Sequence, residues 1–149
     1  MPEKSFNYRR SLGRHLGKEV SIECSNFKIT PVDEDGNMYM LLEQPKIVRM
    51  SGIHIKKDWI INHLWVQIPV EQTQYFERYL PLMRKVYITG FVYEYSYQSG
   101  YLQAGIKLRS IQVLKYRKDI AKKYKLLPGV QLSKSRMDSI LEREALKNF

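Results

Sequence analysis

The chain has 149 residues and is short of the features that carry several kinds of chemistry. Cysteine occurs once, at Cys24, so no intramolecular disulfide forms and no cysteine pair binds a metal. A lone thiol in such a chain reads as a small buried hydrophobe in a reducing compartment. No apolar run approaches the roughly 18–20 residues of a membrane-spanning helix. The start, Met1-Pro2-Glu3-Lys4, has no signal-peptide core behind it. A cytoplasmic protein without a membrane partner is expected. His15, His54 and His63 lie in unrelated segments, with no HxH or HExxH spacing. No Walker loop, GxSxG motif or paired carboxylates stand on a strand end. Asp33, Asp35 and Asn37 begin like a calcium loop, but an apolar strand replaces the expected bidentate glutamate, so a hairpin turn is the better reading. Neither catalysis nor a metal or cofactor is expected.

What is present is positive charge, a net +10. It is unevenly spread. Residues 1–17 carry four Lys/Arg against one acid, and residues 115–149 carry ten against four. Residues 18–114 are left with a net of only +1. The chain therefore reads as a basic N-terminal arm or helix over 1–17, a nearly neutral core over 18–114, and a basic helical extension over 115–149. A polyanionic partner follows from that balance.

The core pattern is mainly that of strands. Val20, Ile22 and Cys24 alternate with polar residues, and Met38 to Leu42 follows the acidic turn Asp33 to Asn37, whose Asp-Gly is a hairpin signal. Ile61 to Ile68 reads as a third strand ending at Pro69. The stretch from Lys46 to Asp58 contains strand-prone pieces whose pairing the pattern does not specify. Tyr75, Phe76, Tyr79 and Leu80 then fall at helical spacing between Pro69 and Pro81. A hairpin follows, with Val86, Ile88, Gly90 and Val92 alternating on one side of Gln98-Ser99-Gly100 and Leu102, Ala104, Ile106 and Leu108 on the other.

Three strands, a helix and two strands is the order of the OB-fold, a five-stranded Greek-key barrel with its helix between strands three and four. Leu41-Leu42 after the Asp-Gly turn, Asn62 to Val66, Lys85 to Tyr93 and Gly105 to Leu108 resemble small OB-type proteins of bacterial phages and mobile elements. The resemblance covers roughly residues 10–114. It implies sequence-tolerant binding of single-stranded DNA, or RNA, in replication, transfer or recombination. Unlike the acidic tail typical of bacterial single-strand-binding proteins, the tail here is basic.

Stacking rings and phosphate-tracking cations hold single strands. Period two puts Tyr87, Phe91 and Tyr93 outward on the fourth strand, and Lys107 and Arg109 outward on the fifth. Tyr97 and Tyr101 flank the hairpin tip. Tyr39 and Trp65 are the candidates on strands two and three, with core packing the alternative for Trp65. Arg9, Arg10 and Arg14, beside Leu12 and Leu16, suit a leading helix that closes the barrel while showing arginines. Lys122 and Lys123 belong to a basic helix between Tyr116 and Leu126. After Pro128-Gly129, Ser133 or Ser135 caps a last helix with Met137, Ile140, Leu141 and Leu146 as its stripe. The other reading of these surfaces is a protein-interaction adaptor in a replication or transfer complex, with homo-oligomers open to either reading.

Overall fold

In the computed structural model, residues 12–96 and 102–148 are described. Arg9, Arg10, Tyr97 and Tyr101 lie outside them. The fold is mainly β. Eight strands form one sheet: β1 (Glu19–Cys24), β2 (Phe27–Ile29), β3 (Met38–Glu43), β4 (Lys46–Met50), β5 (Ile53–Ile60), β6 (His63–Ile68), β7 (Met83–Ser96) and β8 (Leu102–Tyr116). Helix α1 spans Thr73–Tyr79 between single 3-10 turns, and α2 (Lys118–Tyr124) and α3 (Lys134–Asn148) follow the sheet.

Among the described residues there are eight strands where five are expected, while the internal helix and the two C-terminal helices fall in the segments expected to hold them; the extra strands arise from a shared bend. Ile29 faces Met40 and Phe27 faces Leu42, while Glu23 faces Lys46 and Ile22 faces Ile47. One antiparallel register thus runs through β1 and β2 on one side and β3 and β4 on the other. A second register runs from Met38 opposite Ile68 to Lys46 opposite Ile60. Each of the three paired stretches is interrupted at the same line, at Ser25-Asn26, Gln44-Pro45 and Ile61-Asn62. Gln44 takes a left-handed φ of 51° there, and Pro45 has no N–H to give a ladder. The backbone still bonds across the bend: Glu43 N donates to Asn26 O at 2.8 Å, Gln44 N to Asn62 O at 2.8 Å, and Ile61 N to Pro45 O at 3.0 Å.

The sheet order is β2-β3-β6-β8-β7-β1-β4-β5. Its outer members, β2 and β5, are chain continuations of β1 and β6, so the sheet wraps around its own core. β6 and β8 are parallel, with Val66 facing Ile106, and the connection between them carries α1 and β7. The stretch 46–60 is placed by pairing with β1 and by its own hairpin. Inward side chains Ile22, Met40, Leu64, Val66, Ile88 and Ile106 are fully buried, as period two predicts. Phe76 and Tyr79 of α1 are buried in the same core cluster as the strands. Leu12 is fully buried while Leu16 is exposed.

The C-terminal segment is packed against the sheet. Ile120, Met137 and Ile140 join the same core cluster as the strands. Ser133 Oγ accepts from the Arg136 N–H at 3.1 Å and caps α3. Gln131 clamps the end of β8, accepting from Val113 N at 2.9 Å and donating to Val113 O at 2.7 Å.

Candidate nucleic-acid interface

Leu64, Val66 and Ile68 point inward on β6, which turns Trp65 onto the outer face. It is half-buried there, opposite Leu41 of β3. Exposed Lys28 of β2 faces Leu41 from the other side. Tyr39, two residues back on β3, faces Gln67. Gln67 in turn faces Lys107 of β8, and Lys107 faces Phe91 of β7. Phe91 is 40% exposed, unusual for a ring without a role in the core.

The key position is Gly105, which faces Tyr93 on β7. A side chain here would meet the rings of Tyr93 and Tyr95, each at 3.0 Å, and the Trp65 carbonyl oxygen at 3.3 Å. The missing Cβ therefore lets both rings lie down over β8 beside β6. The rings of Tyr93 and Tyr95 are 5.7 Å apart at 36°, and the Tyr95 hydroxyl lies 3.3 Å from Gln103 Oε1. Lys107 Nζ stands 5.3 Å from the Tyr93 ring centroid, a cation–π contact. Burial, with smaller contributions from Tyr39 and Tyr95, pushes the Tyr93 phenol up to about 12. Burial first, then Asp33 and Asp35, also raises that of Tyr39.

The registers place Tyr39, Trp65, Tyr93 and Tyr95 on one outer face, with Lys28 two strands from Trp65 on one side and Lys107 diagonal to it on the next strand. Three strand spacings separate the two lysine columns, about 14 Å. The acidic turn beside Tyr39 is structurally committed in part. Asp33 Oδ1 accepts from the Asp35 and Asn37 N–H groups at 2.9 and 2.8 Å.

The other positions singled out from sequence lie elsewhere. Tyr87 is half-buried on β7, six residues and about 20 Å from Tyr93. Arg109 is exposed but pairs with Glu19. Lys123 pairs with Glu144 at 2.9 Å, while its neighbour Lys122 is exposed on α2. Arg14 is exposed after the helical turn at Leu12-Gly13. Lys28, Tyr95 and Gly105 were not among those positions. The alternation of β7 already marks Tyr95 as outward, whereas Lys28 and Gly105 become meaningful only when the registers of two hairpins are known. Among the described residues, no cluster of His, Cys, Asp and Glu could hold a metal, and no helix is long and apolar enough to cross a membrane.

No family model matches the sequence, and no curated protein matches it. Among solved structures, a small single-stranded DNA binding protein from Mycoplasma pneumoniae is similar over 64% of this chain and 91% of its own, with 11% identity and a TM-score of 0.47. The mitochondrial single-stranded DNA binding protein Rim1 from S. cerevisiae is similar over 67% of this chain and 97% of its own, with 17% identity and a TM-score of 0.38.

Proposed function

We propose that the wrapped sheet is an OB-type barrel and that the protein binds single-stranded DNA, without strong sequence dependence along most of the site, on the face of β3, β6, β8 and β7. The observation that carries this reading is the glycine seat at Gly105, where the rings of Tyr93 and Tyr95 lie next to the Trp65 backbone and Lys107 stands over the Tyr93 ring. A ring kept on the outer face offers its π-surface to any unpaired base, and stacking contributes on the order of 1–3 kcal/mol per base. Duplex bases are already stacked on each other and cannot use it. The flanking lysines and the +10 net charge supply attraction to phosphate. A binding protein of the cytoplasm, not an enzyme, serving replication, transfer or recombination of a phage or mobile element, is the setting that fits.

The test is fluorescence anisotropy with labelled oligothymidylate and with a duplex of equal length. Single strands should bind more tightly, with log K falling linearly against log salt at a slope of about −0.7 per engaged phosphate. Equal or tighter duplex binding rejects the proposal. A flat salt response combined with capture of a polypeptide would favour the adaptor reading instead.

A further inference from the structure

The bend shared by three strands opens a cleft of about 550 Å³ at the edge of the aromatic patch, within the size range of small-ligand sites. Trp65 and Leu41 form its apolar side, and Glu43, Asn26, Asn62 and His63 give it a polar one. A carboxylate here is out of keeping with a surface for a polyanion, because it repels phosphate. Yet Glu43 is held in place. Asn26 Nδ2 donates to Glu43 Oε2 at 2.9 Å, and the Glu43 N–H donates to Asn26 O at 2.8 Å. The Cys24 thiol lies between two carbonyl acceptors of the same corner, Asn26 O at 3.2 Å and Glu43 O at 3.5 Å.

We propose that this cleft is a guanine-selective base pocket, a refinement that rests on the single-strand reading above. An ionised carboxylate only accepts hydrogen bonds, and it accepts two in parallel when two donors lie side by side. Of the four DNA bases, only guanine presents two adjacent donors, N1–H and N2–H, on its Watson–Crick edge. Adenine and cytosine set one amino group beside a ring-nitrogen lone pair, and thymine flanks its single N3–H with two carbonyls. Each of those would aim an acceptor at Glu43. The side-chain amides of Asn62 and Gln44, which also line the cleft, supply donors for guanine O6. Trp65 is the stacking wall, so the pocket selects one base of a strand whose other bases meet the tolerant rings of Tyr93 and Tyr95.

The experiment uses the full chain and oligothymidylates that carry one central dG, dA, dC or deoxyinosine. The strand with dG should bind about tenfold more tightly than the others. Deoxyinosine lacks the 2-amino group and should lose most of that preference on the unaltered protein. Glu43→Gln, which keeps an acceptor for Asn26 but loses one of its two for the base, should bring the dG strand down to its peers. Tight but equal binding of all strands overturns the pocket and leaves the single-strand reading standing. Failure of every strand to bind removes that reading and the pocket with it. A Glu43→Gln protein that binds every strand more tightly by one common factor shows a repelling charge only, and also overturns the pocket.

Discussion

The two ends of the β7–β8 hairpin hold the same kinds of residue in different states. Toward the C-terminal helices, tyrosines and cations are engaged within the fold. Tyr79 donates to Asp138 at 2.7 Å, Tyr124 donates to Glu144 at 2.9 Å, and the Tyr116 hydroxyl accepts from Leu132 N at 3.0 Å. Arg78 pairs with Asp138, and Arg117 with Asp119. On the outer face of β3, β6, β8 and β7, Lys107 stands over the Tyr93 ring and forms no salt bridge among the described residues. Composition alone does not separate structural from ligand-facing aromatics. The arrangement of partners around them does, and it sets the packed C-terminal segment apart from the outward rings of β3, β6, β8 and β7.

The largest effect should come from cutting that tail away. A chain ending at Arg117 loses Ile120, Met137 and Ile140 from the shared core. It should lose its cooperative thermal transition by circular dichroism, and a retained transition would make the helices an independent arm. Ile140→Ala, a milder cut at a fully buried position, should cost about 2–5 kcal/mol in a denaturant titration. Its effect on single-strand binding should vanish once the protein is shown to be folded.

Next in size is the opposite substitution, Trp65→Ala or Tyr93→Ala. Binding should weaken by roughly 1–3 kcal/mol per ring, because each ring contributes to stacking. Gly105→Ala sharpens the point without removing any ring. The added methyl displaces Tyr93 and Tyr95, so affinity should fall in anisotropy while secondary structure by circular dichroism is kept.

Smaller effects belong to pH. The hydrogen bond from Arg78, then that from Tyr79, holds the Asp138 carboxyl below the ordinary carboxylate range. A depressed folded-state value contributes stability that is present above the unfolded value and lost as pH falls through the folded one. Asp138→Asn should therefore flatten the acid limb of stability and leave strand binding at neutral pH alone. Tyr93 acts at the other extreme. Its folded-state value of about 12 lies above the ordinary tyrosine value, so its stabilising contribution is complete below about 10 and is lost as pH rises through about 12. In an absorbance titration, Tyr93→Phe should remove a phenolate that appears near 12 and none near 10.

Much of this architecture is legible in the sequence where one side of a strand meets the core. Val86, Ile88 and Val92 announce their inward side, and so place Tyr87, Phe91 and Tyr93 outward. The same alternation around Leu64 and Val66 turns Trp65 out, although its apolar setting suggests packing. β5 is opaque because Ile53-His54-Ile55-Lys56-Lys57-Asp58-Trp59-Ile60 lies at the margin of the sheet, with Ile53 71% exposed, so burial imposes no period on it. The common bend is opaque as well, since Gln44 in a left-handed conformation carries no local signal. Gly105 reads as an ordinary small residue until the hairpin register sets it under Tyr93.

The central claim is that Trp65 stacks on a base, and its own fluorescence tests it. The chain has two tryptophans, and Trp59 Nε1 makes no hydrogen bond to the described residues, so Trp59→Phe removes the second emitter without breaking one among them. Titrated with oligothymidylate at low salt, that protein should show quenching that tracks the anisotropy of the labelled strand. A strand that binds by anisotropy while Trp65 emission stays constant would contradict the account and move the ligand off the β3–β6 face.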